Sequence, residues 1–137
     1  MSKGEGNKVL LIGFGNPARE DDGIGPAVAE IIENMQIEGV TVDSDYQLTV
    51  EDSAAVAEHD LVVFVDASLD CEEPFVFTKV TPRLEESFSS HSVEPEMVIA
   101  LAEHLFRAKT EAYILGIRGY SFEMFTEEMT EKAVENI

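Results

Sequence analysis

Leu61-Val62-Val63-Phe64-Val65 is the stretch that most narrows what this chain can become. Five consecutive apolar residues without alternation need burial on both faces, the situation of a central, parallel strand covered by helices above and below. Parallel neighbours must be joined by crossovers, usually helical. The rest of the chain supplies them in alternation. Val9 to Ile12 form a second apolar run, ended by Gly13 and Gly15, and Pro26 opens a helix in which Val28, Ile31, Ile32 and Met35 recur at helical spacing. Gly39 reads as that helix's stop. Val40, Val42 and Asp43 to Tyr46 give a weakly alternating strand, and Glu51 to Glu58 a short helix. Phe75 to Val80, bracketed by Pro74 and Pro82, reads as an edge strand. Pro95 starts a third helix with Val98, Leu101, Ala102 and Leu105 on its buried face. Tyr113 to Ile117 form the last strand. Thr126 caps a terminal helix that turns Met129 and Val134 inward, with Glu127 and Glu128 at its positive end. The expectation is an α/β three-layer sandwich formed by one domain spanning residues 1–137. Its five-stranded sheet is mostly parallel with one antiparallel edge strand, helices cover both faces, and residues 1–7 form a flexible N-terminus.

Charge and cysteine usage exclude several function classes. A net charge of −19, from 28 acids against 9 Lys plus Arg, repels a phosphate backbone, so neither nucleic acid nor an anionic membrane is expected as a partner. The single Cys71 rules out an internal disulfide and every multi-cysteine zinc pattern. No apolar run approaches a membrane span, the first residues lack the apolar core of a signal peptide, and a cytoplasmic protein is expected.

The chemistry is expected at the carboxyl ends of the strands, where open α/β sheets place their sites. Glu20, Asp21 and Asp22 lie between the first strand and its helix, and Asp66 directly follows the apolar run. If those two strands are neighbours, Asp22 and Asp66 face one crevice, and a loop carrying His91 into the third helix can reach the same edge. Two carboxylates and an imidazole suit a divalent transition metal with positions left for water or substrate. A metal-free alternative lets one carboxylate activate water while the other is kept protonated by like-charge repulsion. Plainer roles compete: Asp22 as a helix cap, Asp66 bonded to loop amides, His91, His59 and His104 as ordinary loop and helix histidines, Cys71 as structural, and Arg19 and Arg118 in surface pairs.

Gly13-Phe14-Gly15-Asn16-Pro17-Ala18 loosely fits a dinucleotide fingerprint, yet Pro17 and three acids intervene before the helix and would repel a pyrophosphate. A receiver-like module also keeps acids after strand one and an aspartate after strand three, but its lysine is missing where Ile117 leads to Arg118-Gly119.

The stretch Gly13-Phe14-Gly15-Asn16-Pro17-Ala18-Arg19-Glu20-Asp21-Asp22-Gly23-Ile24-Gly25 resembles the signature of the hydrogenase maturation endopeptidases. Tyr46-Gln47-Leu48-Thr49, Val63-Phe64-Val65-Asp66-Ala67 and His91 followed by Pro95 agree with it in order. The resemblance implies an endopeptidase, aspartic-type or metal-dependent, that clips the C-terminal extension from the large-subunit precursor of a nickel-iron hydrogenase. It further implies that Asp22, Asp66 and His91 meet a nickel already seated in that precursor, donors that cadmium or zinc can also occupy. Asp22 and Asp66 are then the catalytic pair, and Gly15, Asn16 and Gln47 contact substrate. Asp22 stands where several family members carry glutamate, one methylene longer. Oligomeric state is left open, a monomer being the simplest expectation, and an inactive member that only binds the precursor would read similarly.

Overall fold

The computed structural model describes residues 8–83, 93–123, 126 and 128–137. Among these residues five strands, β1 (Val9–Phe14), β2 (Val40–Asp45), β3 (Leu61–Ser68), β4 (Phe75–Lys79) and β5 (Glu111–Arg118), form one sheet in the order β2-β1-β3-β5-β4. The pairs β1–β2, β1–β3 and β3–β5 are parallel, and β4 runs antiparallel to β5 at the edge. The chain winds outward from β1 to β2, then crosses back to β3 on β1's other side. The strand order therefore reverses between β1 and β3, the switch point at which a crevice opens.

Among the described residues four α-helices, α1 (Ile24–Met35), α2 (Asp52–Ala57), α3 (Pro95–Phe106) and α4 (Glu131–Asn136), cover the two faces. Alternation along β3 divides the core between them. Val62 and Phe64 join Leu10, Ile12, Val56, Met97 and Val98 under α2 and α3, while Val65 joins Ile24, Val28, Ile117 and Ala133 under α1 and α4. Both faces of the run Val62 to Val65 are thus covered, as its unbroken apolar sequence requires. No helix among the described residues is long and apolar enough to cross a membrane.

Several boundaries and faces differ from expectation. β3 continues through Asp66 to Ser68, because Ser68 still pairs with Arg118 of β5, so Asp66 lies inside the strand rather than beyond its end. The buried stripe of α1 is Ile24, Gly25, Val28 and Ala29, whereas Ile31 and Met35 are exposed. α1 begins two residues before Pro26 and ends at Met35, where Gln36 takes a left-handed conformation. Gly39, also at positive φ, belongs to the turn into β2 instead of stopping the helix. In α3 the buried residues are Pro95, Met97 to Ala100 and Ala102, and Leu105 is exposed. Thr130, not Thr126, caps α4 by accepting the Ala133 N–H; Thr126 instead bridges to Arg19, and Val134 faces solvent. His91, Glu127 and the expected flexible segment 1–7 lie outside the described residues.

Candidate active site

Three glycines fix where the first loop sits. A Cβ on Gly25 would lie 2.4 Å from Phe14 O and 2.6 Å from Val65 O, so the first turn of α1 rests on the backbone at the end of β1 and at Val65 within β3. A Cβ on Gly13 would lie 2.1 Å from Gly25 O, closing the same contact from below. Gly15, at φ +146°, would place a Cβ 2.1 Å from Asp22 O. Only residues without side chains allow this approach. The consequence is that the 3-10 turn Glu20–Gly23 is pressed against the switch point and carries its acids there.

The three acids then part ways. Asp21 is fully buried, its Oδ1 accepting the Thr130 N–H at 2.7 Å and its Oδ2 accepting Tyr120 N–H at 2.7 Å, Ser121 N–H at 3.2 Å and Thr130 Oγ1 at 2.8 Å. Burial alone would push this carboxyl up; its hydrogen bonds from Thr130, Tyr120 and Ser121 outweigh that and hold it below the usual carboxylate range. Glu20 accepts from Ser121 Oγ and, at 3.1 Å, from the Glu123 N–H. These two acids lash the loop to the segment between β5 and α4. Asp22 is left facing the crevice, with its Oδ2 taking the Asn16 N–H at 2.8 Å and lying 3.8 Å from Arg19 Nη1. Asn16 closes the turn by accepting the Ala18 N–H at 2.9 Å. Asp22 therefore supplies no cap to α1, whose N-cap position, Gly23, has no side-chain bond.

Asp66 comes to the crevice from the neighbouring strand. It is half-buried on the α3 side of β3, and its Oδ1 accepts the Ala67 N–H at 2.8 Å. Burial, with the like charges of Asp22 and Glu94 added, pushes its carboxyl up to about 7 against that one stabilising bond. No cation pairs with Asp66 among the described residues. A carboxyl in this state can hold or release a proton near neutrality, which is the property a general acid or base needs.

The structure thus sets Asp22, in the loop after β1, and Asp66, on the neighbouring β3, within reach of each other's charge, and adds Glu94 at the start of α3. Among the described residues no group of three or more His, Cys, Asp or Glu side chains could hold a metal ion. The donors present are two carboxylates, a hard-oxygen set that needs a further ligand to suit a transition metal. Gly15 lines a cleft of about 180 Å³ with Pro17, Pro26, Ser44, Asp45 and Tyr46, beside the exposed Gln47. Three of the remaining candidates have local partners: His59 Nδ1 lies 2.8 Å from Ala55 O, Cys71 Sγ contacts Gly116 O at 3.5 Å, and Arg118 Nη1 donates to Cys71 O at 2.8 Å. Asp21 and Glu94 escaped sequence reasoning. Nothing local separates Asp21 from its two acidic neighbours, since its partners lie about a hundred residues away.

No family model matches the sequence, and no curated protein matches it. Solved structures do. The [NiFe] hydrogenase maturation protease HycI from Thermococcus kodakarensis KOD1 shares 26% identity with a TM-score of 0.73, covering 98% of this chain and 91% of that one. A hydrogenase 2 maturation peptidase from Thaumarchaeota archaeon SCGC_AB-539-E09 matches at 19% identity and a TM-score of 0.68, covering 94% and 90%. The hydrogenase maturating endopeptidase HybD from E. coli matches at 17% and 0.63, covering 93% and 83%. The latter two similarities bear on the fold alone.

Proposed function

We propose, from the premise that this chain belongs to the hydrogenase maturation endopeptidases, that it removes the C-terminal extension of the nickel-loaded large-subunit precursor of a nickel-iron hydrogenase. The observation that carries the reading is the convergence at the switch point: Asp66, raised to about 7 and unpaired by any described cation, sharing its crevice with the charge of Asp22. Such a pair attracts a cation, and the precursor brings one.

The nickel is cargo of the substrate and supplies positive charge beside the scissile peptide. The chain's own part is to receive it and the peptide. Asp22 is held in place by the Asn16 N–H and offers its remaining oxygen to the crevice. A cation entering beside Asp66 favours its ionised form, so the proton it holds when the crevice is empty is released as the precursor docks. Asp66 is then the group placed to take a proton from the attacking water, with Asp22 orienting it and His91 completing the donor set. Cadmium or zinc would fit the same donors. Gly15, Asn16 and Gln47 border the path of the substrate chain, and the setting is the cytoplasm, where the precursor is made.

The test is to incubate the protein with nickel-loaded and nickel-free precursor and follow the C-terminal fragment by mass spectrometry. The reading expects release of that fragment from the loaded form only. Equal cutting of both forms, or of neither, would reject it.

A further inference from the structure

β4 is the sheet's least protected element. All five of its residues are exposed, and β5 is its only partner among the described residues. Pro74 O accepts from Arg118 N–H at 3.0 Å and Val80 N–H donates to Ala112 O at 2.9 Å. Residues of even number on this strand therefore point their backbone groups at β5, and Phe75, Phe77 and Lys79 point theirs outward. Edges of this kind are usually blunted by charge, proline or a covering loop. Here the outward residues are two phenylalanines, 51% and 52% exposed, and a single lysine at the far end. Phe75 also walls a groove of about 250 Å³ with Ile31, Ile32, Leu115, Ile117 and Ile137. This is the apolar side of α1 that the core leaves uncovered.

We propose that the free edge of β4 takes up an extended segment of the protein substrate as a sixth, main-chain-bonded strand, one of its apolar side chains filling the groove beside Phe75. The segment's chemistry follows from charge. Asp70 and Glu72 lead into β4 on a chain of net charge −19, while the adjoining Glu73 is already paired with Lys132 at 3.8 Å, so a second copy of this chain would bring like charge, whereas an apolar stretch flanked by lysine or arginine is attracted. Position relative to the crevice fits a docking role. Asp66, Gly116 and Val76 share one rung across β3, β5 and β4, which puts an added strand about 14 Å from Asp66 at ~4.8 Å per strand. That is near enough to hold a precursor whose tail lies in the crevice, and too far to touch the chemistry. The proposal rests on the endopeptidase reading and names how its substrate is gripped.

Two substitutions test it. Lys79→Pro removes one outward N–H and no bond to β5, and Phe75→Glu puts a charge at the groove. Both are to be compared with wild type for precursor processing and, with the cutting blocked by Asp66→Asn, for precursor binding. The expected result is a KM and a dissociation constant raised about tenfold or more in each, the size of a lost interface anchor, with kcat at saturation unchanged. Unfolding temperature is the control, and if Lys79→Pro does not fold, the exposed Phe75→Glu carries the test alone. Wild-type KM and affinity in folded variants would overturn the proposal. So would a wild-type dimer in sedimentation that Lys79→Pro dissociates, since a second copy would then own the edge. Failure of the wild type itself to cut the loaded precursor would instead remove the parent reading, and the edge proposal with it.

Discussion

Replacing Asp66 by asparagine should stabilise the fold by an amount that grows with pH. The amide keeps an oxygen for the Ala67 N–H, bonded at 2.8 Å in the native protein, and puts an uncharged NH₂ in place of the other carboxylate oxygen, which accepts no hydrogen bond among the described residues. Burial first, and then the charges of Asp22 and Glu94, raise the native carboxyl from 3.8 to about 7. Between those values the folded protein holds a proton that the unfolded chain has released, so wild-type stability falls as pH rises through the window and levels off above it. At ~1.4 kcal/mol per pH unit, the part of the window above about pH 5 corresponds to ~3 kcal/mol. For a domain of this size that is on the order of 10 °C in Tm. The assay is urea and thermal unfolding of wild type and Asp66→Asn from about pH 5 to about pH 8 with a chelator present, so that no metal ionises the site. Taking the difference between the two proteins cancels the general repulsion of a chain of net charge −19. A difference that stays constant within ~0.5 kcal/mol across that range would refute the claim that Asp66 is desolvated beside a second carboxylate.

Other outcomes follow from the same geometry. Asp21→Asn must turn an NH₂ toward donors that now meet a carboxylate oxygen, and should cost ~2–4 kcal/mol in urea unfolding while leaving the buried volume unchanged. Because the Asp21 pKa is lowered on folding, its contribution is present above 3.8 and disappears as pH falls below that, opposite in sign to Asp66. Gly25→Ala drives a methyl into Phe14 O and Val65 O and should destabilise by more than ~3 kcal/mol or abolish soluble expression, read by circular dichroism. Thr130→Ala loses both the cap of α4 and a bond to Asp21, for ~1–2 kcal/mol.

What could be read from the sequence was what local chemistry decides. The unalternated run at Leu61–Val65 dictated a buried parallel strand, the prolines around Phe75 marked an edge, and both are borne out. That β1 and β3 are neighbours was the one condition for Asp22 and Asp66 to act on each other, and it holds, with the charge of Asp22 felt at Asp66. Faces of helices were less legible, since periodicity fixes a stripe but tertiary partners fix how much of it is covered. Ile31 and Leu105 lie on correct stripes and remain in solvent. The division of labour among Glu20, Asp21 and Asp22 was not legible at all. Chemically near-identical neighbours acquire different roles only from the backbone of Tyr120, Ser121, Glu123 and Thr130, which the fold brings up to two of them and not to the third.

The most direct test of the central claim is processing of the nickel-loaded precursor by wild type, Asp22→Asn and Asp66→Asn, each first shown to be folded by its melting curve. The account predicts mature large subunit with the wild type and unprocessed precursor with both variants. Wild-type processing by Asp66→Asn would contradict it, because the proton-accepting group of the crevice would then have been dispensable.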